Sequence, residues 1–250
     1  MSGRFAGLRI LVTGAAGGIG AAAARAFRDE GGSVVASDVN VPDTGLGIGD
    51  LEFVAADVTN AAAVEAMVAT AAGTEGRIDV LVHTAAILGG SGPFVDVPPD
   101  IFARYWAVNV MGTVHVAQAV ARRMIATGAG GSIITFGSIN SLAAERNCSP
   151  YATSKGAVRL LTRAMAVDLA QHGIRANIVL PGPVSVPRNA DWFARQQIKD
   201  SFEAAIPMKR AGDPDELVAA LFYLADPRSS YTTGTDIVID GGMNAFVSLL

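Results

Sequence analysis

Thr13-Gly14-Ala15-Ala16-Gly17-Gly18-Ile19-Gly20 is the stretch on which the fold turns. It follows the apolar run 8–13 and opens an alanine-rich segment, 18–30, so a strand passes into a helix through a glycine cluster. Glycines at such a junction allow a tight turn, let the backbone approach a pyrophosphate and let helix and strand pack closely. The free N–H groups at the start of the helix then face anionic oxygens. Asp38 stands at the end of the next apolar run, 33–37, where a carboxylate accepts both hydroxyls of an adenosine ribose and repels a 2′-phosphate. Neither Gly17 nor Val39 is a cation that could receive that phosphate, so NAD is expected rather than NADP. Gly14, Gly17, Gly18, Ile19, Gly20 and Asp38 are the expected cofactor contacts. The competing reading is a structural glycine turn beside a solvated loop aspartate.

The same alternation continues outward. Ile-, Val- and Leu-rich runs at 8–13, 33–37, 52–55, 78–82, 131–136, 175–180 and 236–239 read as strands. Helical stretches lie between them at 18–30, 61–72, 99–127, 150–172 and 214–225. The expected fold is α/β: a single-domain, doubly wound, Rossmann-like parallel sheet of about seven strands with helices on both faces. The segments 39–50, 88–98 and 181–211 read as irregular, the last long enough for a substrate lid.

Composition agrees. Of 250 residues, 50% are hydrophobic and 17% charged, enough to bury a sizeable core and too apolar for disorder. Mean hydropathy is +0.37. Nineteen Lys and Arg against 23 Asp and Glu give a net charge of −4 without a basic run, so nucleic acid is not an expected partner. The charge-free stretch between Arg123 and Glu145 is too rich in Gly, Ser and Thr for a membrane span. The N-terminus has no small-residue cleavage site, so no export is expected. The single cysteine, Cys148, makes no internal disulfide, and a reducing, cytoplasmic setting fits. His83, His115 and His172 are scattered without other ligands at metal spacing, so no metal is expected.

Tyr151-Ala152-Thr153-Ser154-Lys155 opens a helix, and the i, i+4 spacing puts phenol and ammonium on one face. A tyrosine with pKa about 10 is a poor base near neutrality, and a neighbouring cation favours its phenolate. Tyr151 thereby becomes a usable general acid/base. Taken alone the pair is an ordinary exposed i, i+4 contact; Ser138, at the end of the fifth strand, adds a hydroxyl that could hold a substrate oxygen facing Tyr151.

At this point the chain resembles the short-chain dehydrogenase/reductase family over essentially its whole length. The matching pieces are TGAAGGIG, Asp57-Val58, Asn109 in VNVMG, Ser138, YATSK, Pro181-Gly182 and TGTDIVIDGG at 233–242. The resemblance implies that Tyr151 exchanges a proton with the substrate oxygen, that Ser138 hydrogen-bonds the same oxygen, and that Lys155 lowers the tyrosine pKa and binds the nicotinamide ribose. It implies that Asn109 anchors a water in a proton relay. Asp57 and Val58 would meet the adenine, and Pro181, Gly182 and Val184 would line the nicotinamide. Homotetramers formed through the long helices are common in the family.

The chain departs from the family pattern in three places. His83-Thr84-Ala85-Ala86 stands where Asn-Asn-Ala-Gly is usual; Thr84, Ala85 and Ala86 remain expected cofactor contacts, and His83 reads as a satisfied structural histidine. Val186 stands where a threonine commonly holds the nicotinamide carboxamide, with Ser185 or the Val184 backbone as substitutes. Gly137 replaces a frequent second serine. Substrate-pocket candidates are Ser138, Asn140, Cys148, Tyr151, Pro183 and Trp192, with Arg146 and Arg188 flanking and Phe193 beside. The apolar tail 246–250 is expected to bury against a neighbouring subunit. The expected activity is the interconversion of a secondary alcohol and a ketone, on a small cyclic or polyol-like alcohol. The alternative is a dinucleotide-binding sensor or scaffold without catalysis; a serine hydrolase built on Ser138 lacks the G-x-S-x-G elbow.

Overall fold

The structure, a computed structural model, describes residues 3–41 and 46–245; the side chains of Arg188, Trp192 and Glu203 are outside that description. The expected pocket role of Trp192, the flanking role of Arg188 and the burial of the tail 246–250 therefore lie outside the described residues.

The strands are β1 (Arg9–Thr13), β2 (Ser33–Asp38), β3 (Glu52–Ala55), β4 (Val80–His83), β5 (Gly131–Phe136), β6 (Ile174–Pro181) and β7 (Asp236–Ile239). They form one sheet in the order β3-β2-β1-β4-β5-β6-β7, with every neighbouring pair parallel. The helices are α1 (Gly18–Asp29), α2 (Ala61–Ala72), α3 (Pro99–Tyr105), α4 (Gly112–Thr127), α5 (Ser149–Leu169), α6 (Ala190–Phe193), α7 (Gln196–Ala205) and α8 (Val218–Ala225).

The central strands read as unbroken apolar runs because both faces are covered. Ile10, Val12, Val80, Val82, Ile134 and Phe136 pack on one face against Phe27 of α1 and Leu221 and Leu224 of α8. Leu11, Leu81 and Ile133 pack on the other against Met67 of α2 and Val116, Val120 and Met124 of α4. The strand order reverses between β1 and β4, and at such a switch point the carboxyl ends of the strands leave a crevice.

Three segments differ from the sequence expectation. The helix expected over 99–127 is α3 and α4 joined by a π-helical segment, Trp106–Met111. Segment 181–211, expected to be irregular, contains a 3₁₀ turn at Pro187–Asn189 followed by α6 and α7. The helix at 214–225 begins as a 3₁₀ turn, Pro214–Leu217, whose Asp213 cap accepts from the N–H of Asp215.

Candidate active site

A cleft of about 1720 Å³ opens at the carboxyl ends of the strands. Its walls carry every expected cofactor contact, from Gly14, Gly17–Gly20 and Asp38 through Asp57, Val58 and Thr84–Ala86 to Pro181, Gly182 and Val184. Ser138, Asn140, Cys148, Tyr151, Lys155 and Pro183 line the same cleft.

The cofactor end is a cradle that side chains would fill. Gly14 has φ +75°, and a Cβ there would sit 2.5 Å from the Ala85 backbone nitrogen. A Cβ on Gly20 would sit 2.3 Å from the Gly14 carbonyl oxygen. The Thr84 hydroxyl donates to the Thr13 carbonyl at 2.7 Å, so the segment after β4 is stitched to the glycine turn. Helix α1 begins after Gly17 with no side-chain cap, whereas Asn60 caps α2 by accepting from the N–H groups of Ala62 and Ala63. The first turn of α1 thus keeps N–H groups for an anion. The Asp38 carboxylate accepts from the Ala16 N–H at 3.1 Å and the Asn40 N–H at 3.0 Å, which fixes it beside that turn. Glycines without room for side chains, an uncapped helix start and a braced carboxylate fit a nicotinamide dinucleotide.

The departures from the family pattern acquire local explanations. Val186 is buried and packs on the glycine turn: a Cβ on Gly18 would lie 2.6 Å from Val186 Cγ1. The Asn189 side chain shapes that loop, accepting from the Val186 N–H at 2.7 Å and donating to the Val184 carbonyl at 3.1 Å. His83 is buried with Nδ1 2.7 Å from the Thr13 hydroxyl. Its Nε2 has no hydrogen-bond partner among the described residues, so the ring is satisfied on one side only. Burial, reinforced by the charge of Lys155, pulls its pKa down to about 3, and the ring is neutral.

Tyr151 and Lys155 occupy the first turns of α5 and face the cleft together with Ser138. The Ser138 hydroxyl faces the Tyr151 phenol across the cleft wall and accepts from the Asn140 N–H at 3.1 Å. The Lys155 ammonium lies 5.9 Å from the tyrosine ring centre and donates to the Phe136 carbonyl at 2.8 Å. Burial pushes the Tyr151 phenol up to about 12, against the opposing pull of the Ser138 hydroxyl. The phenol is thus raised rather than lowered as the neighbouring ammonium led one to expect, because loss of water dominates. Burial also pulls Lys155 down to about 8.

Asn109 sits on the π-helical segment and is buried. Its side chain accepts from the Ile87 N–H at 2.9 Å and donates to the Ile87 carbonyl at 3.1 Å and the Ser154 hydroxyl at 2.9 Å. The Asn109 side chain is thus fully engaged with protein groups. It ties the segment after β4 to α5, where Ser154 in turn donates to the Tyr151 carbonyl at 2.7 Å.

Further residues in and behind the wall add to this picture. His115, off the lining itself, meets the Val58 carbonyl at 2.9 Å and so braces an expected adenine contact. Tyr105 donates to the Gly89 carbonyl at 3.0 Å, with its ring 6.3 Å from that of Tyr151. Phe193 and Phe202 stack at 5.0 Å on the substrate side of the cleft. Arg104 and Glu145 line it as well, whereas Arg146, expected as a flanking cation, is exposed and off the lining. The spacing of Glu145 between Ser138 and Tyr151 was the available signal. Among the described residues there is no cluster of three or more metal-ligating side chains, and no helix is long and apolar enough to cross a membrane.

Residues 14–244 match a family model described as enoyl-(acyl carrier protein) reductase. An L-rhamnose 1-dehydrogenase (NAD(P)(+)) from a Sphingomonas strain is 34% identical, covering 95% of this chain and 96% of its own. A sorbitol dehydrogenase from Cereibacter sphaeroides is 35% identical, with 96% and 98% covered. A gluconate 5-dehydrogenase from Burkholderia cenocepacia, solved with NADP and tartrate, superimposes with TM-score 0.88 at 34% identity, 98% of each chain covered. With this seven-stranded sheet and these relatives along its full length, the chain belongs to the short-chain dehydrogenase/reductase family of oxidoreductases.

Proposed function

We propose that the protein is an NAD-dependent dehydrogenase that interconverts a secondary alcohol and a ketone on a small polyol-like or cyclic substrate, with Tyr151 as general acid/base. The observation that carries this reading is the convergence of Ser138, Tyr151 and Lys155 on one cleft, at the end of a cradle that fits a dinucleotide. The relatives named for rhamnose, sorbitol and gluconate support a polyhydroxylated substrate. Asp38, held beside the glycine turn, favours a ribose diol over a 2′-phosphate and hence NAD over NADP. Asp57, Val58, Thr84–Ala86, Pro181, Gly182 and Val184 complete the cofactor wall. The chain works as one dinucleotide-binding unit whose segment 183–211 covers the substrate, and copies associate as a homotetramer.

The dinucleotide, when bound, supplies the hydride acceptor or donor. The chain's own work is to hold the reacting oxygen between the Ser138 hydroxyl and the Tyr151 phenol and to move one proton at Tyr151 Oη. A phenol pushed up to about 12 holds its proton at neutral pH and so stands in the form that donates to a carbonyl. Alcohol oxidation needs the phenolate, so its kcat/KM should rise with pH through the alkaline range, while ketone reduction falls.

The test is a screen for NADH formation over sugars, neutral polyols, hydroxy acids and cyclic alcohols, with NADP in parallel and a Tyr151→Phe variant. The variant should bind NAD like the wild type and lose about 10²- to 10⁴-fold in turnover. Full activity of the variant would refute the acid/base role, and a clear NADP preference would refute the reading of Asp38.

A further inference from the structure

Among the described residues, two charged side chains on the cleft wall take no part in the cofactor cradle or the proton transfer: Glu145 and Arg104. They differ in what they act on. Arg104 is exposed on α3 and its charge falls on Tyr105. Glu145 lies in the loop between the Ser138 turn and α5 and its charge falls on Cys148 and on the Tyr151 phenol.

Glu145 is also the end of a connected strip that starts at the reacting position. The Asn140 N–H donates to the Ser138 hydroxyl at 3.1 Å. The Asn140 side chain in turn accepts from the Glu145 N–H at 2.9 Å and donates to the Glu145 carboxylate Oε2 at 3.4 Å. The loop is thereby folded so that a carboxylate stands on the cleft wall against Asn140, itself bonded to Ser138, with capacity left over, because an ionised carboxylate has about four acceptor sites. An ionised carboxylate only accepts. It matches hydroxyl donors, offers nothing to an apolar alcohol and repels an anion brought to the same place.

We propose that Glu145, braced by Asn140, accepts a hydrogen bond from a second hydroxyl of the substrate, so that the enzyme takes neutral polyhydroxylated alcohols and turns away those carrying a carboxylate. The proposal rests on the dehydrogenase reading above and narrows it: both proteins named for rhamnose and sorbitol act on neutral compounds, and the one named for gluconate acts on an anion. The charge of Arg104 falls on Tyr105, whereas that of Glu145 falls on the Tyr151 phenol.

The experiment measures kcat and KM with saturating NAD for two substrates of equal carbon number, a neutral hexitol and a hexonate, on the wild type, Glu145→Gln and Glu145→Asp. The wild type should favour the hexitol at least tenfold in kcat/KM. Glu145→Gln keeps the shape of an exposed loop side chain; it should raise the hexitol KM about tenfold, with the larger part of the loss in KM, and should improve the hexonate, so that the preference collapses. Glu145→Asp should restore part of it. Removing the carboxylate should also move the alkaline rise of hexitol oxidation to lower pH, an effect that a purely structural loop residue would not produce. NAD affinity, read by tryptophan fluorescence, serves as the check that the fold is intact in each variant. A wild type that prefers the hexonate, or a Glu145→Gln preference equal to that of the wild type, would overturn the proposal while leaving the dehydrogenase reading in place. Absence of turnover with every alcohol class would overturn both.

Discussion

At the scale of single residues, His83 shows how burial decides chemistry. It ends β4 with one ring nitrogen on Thr13 and the other without a partner among the described residues. Its pKa falls from the ordinary 6.5 to about 3, so between those values the unfolded chain binds a proton that the native ring refuses. Stability contributed by this group is therefore full above about pH 6.5 and is lost as the pH falls toward 3, by about 1.4 kcal/mol for each unit. Urea unfolding at pH 6.5 and pH 5 should show the wild type losing about 2 kcal/mol more than His83→Asn; equal losses would sink the account. The position of His83 at a strand end was readable in the chain, and so was its departure from the family pattern. Its half-satisfied ring was not, because that depends on which groups of β1, β5 and α5 surround it. Tyr151 teaches the same lesson. The i, i+4 spacing correctly paired it with Lys155, but the sign of its pKa shift depended on burial.

At the scale of elements, the π-helical segment Trp106–Met111 does what a regular helix would not. The extra residue in its turn reorients Asn109 toward Ile87 and Ser154, and such bulges recur at functional sites. The apolar periodicity over 99–127 reads as one helix because a single wide turn leaves the pattern of buried positions almost unchanged. Asn109→Ala would strand the Ile87 N–H and carbonyl and loosen the first turn of α5 beneath Tyr151. A cost of about 2–4 kcal/mol in stability is expected from the lost hydrogen bonds and the groups left unpaired. Turnover should fall more than NAD affinity, since the clamp positions the proton-transfer residues; a variant with wild-type melting temperature and turnover would refute it. The segment 181–211 was likewise only partly legible. Its length marked it as a substrate loop, but its helices are four and ten residues long, too short to stand out from local composition, and they are shaped by Asn189 hydrogen bonds to the loop backbone.

At the scale of the whole molecule, one side leaves apolar surface in water. Leu160 and Val167 of α5 are 70% and 78% exposed, and Trp106 of the π-helical segment is 46% exposed. A shallow groove of about 410 Å³ runs beside them between Phe102, Trp106, Met111 and Pro150. Exposed aromatic and aliphatic side chains gathered on neighbouring helices are the mark of an association face. Light scattering after size exclusion should give a mass near four times 25.6 kDa, and Leu160→Lys should shift it to smaller species. A wild-type mass of one chain would remove the tetramer from the proposal.

The alternation of strands and helices, the doubly wound sheet and the glycine turn with Asp38 at the cleft were legible in the sequence by itself. Each is a local property: strand and helix periods, a glycine cluster at a strand–helix junction, an acid at the end of the next strand, Tyr and Lys one helical turn apart. What only the tertiary structure decided is how groups far apart in the chain meet. The sheet brings His83 to Thr13, the π-helical segment carries Asn109 to Ile87, the loop before α5 folds Glu145 against Asn140 beside Ser138, and burial sets the Tyr151 phenol near 12. Hydrogen-bond partners and loss of water are functions of three-dimensional neighbourhood, and no spacing along the chain encodes them.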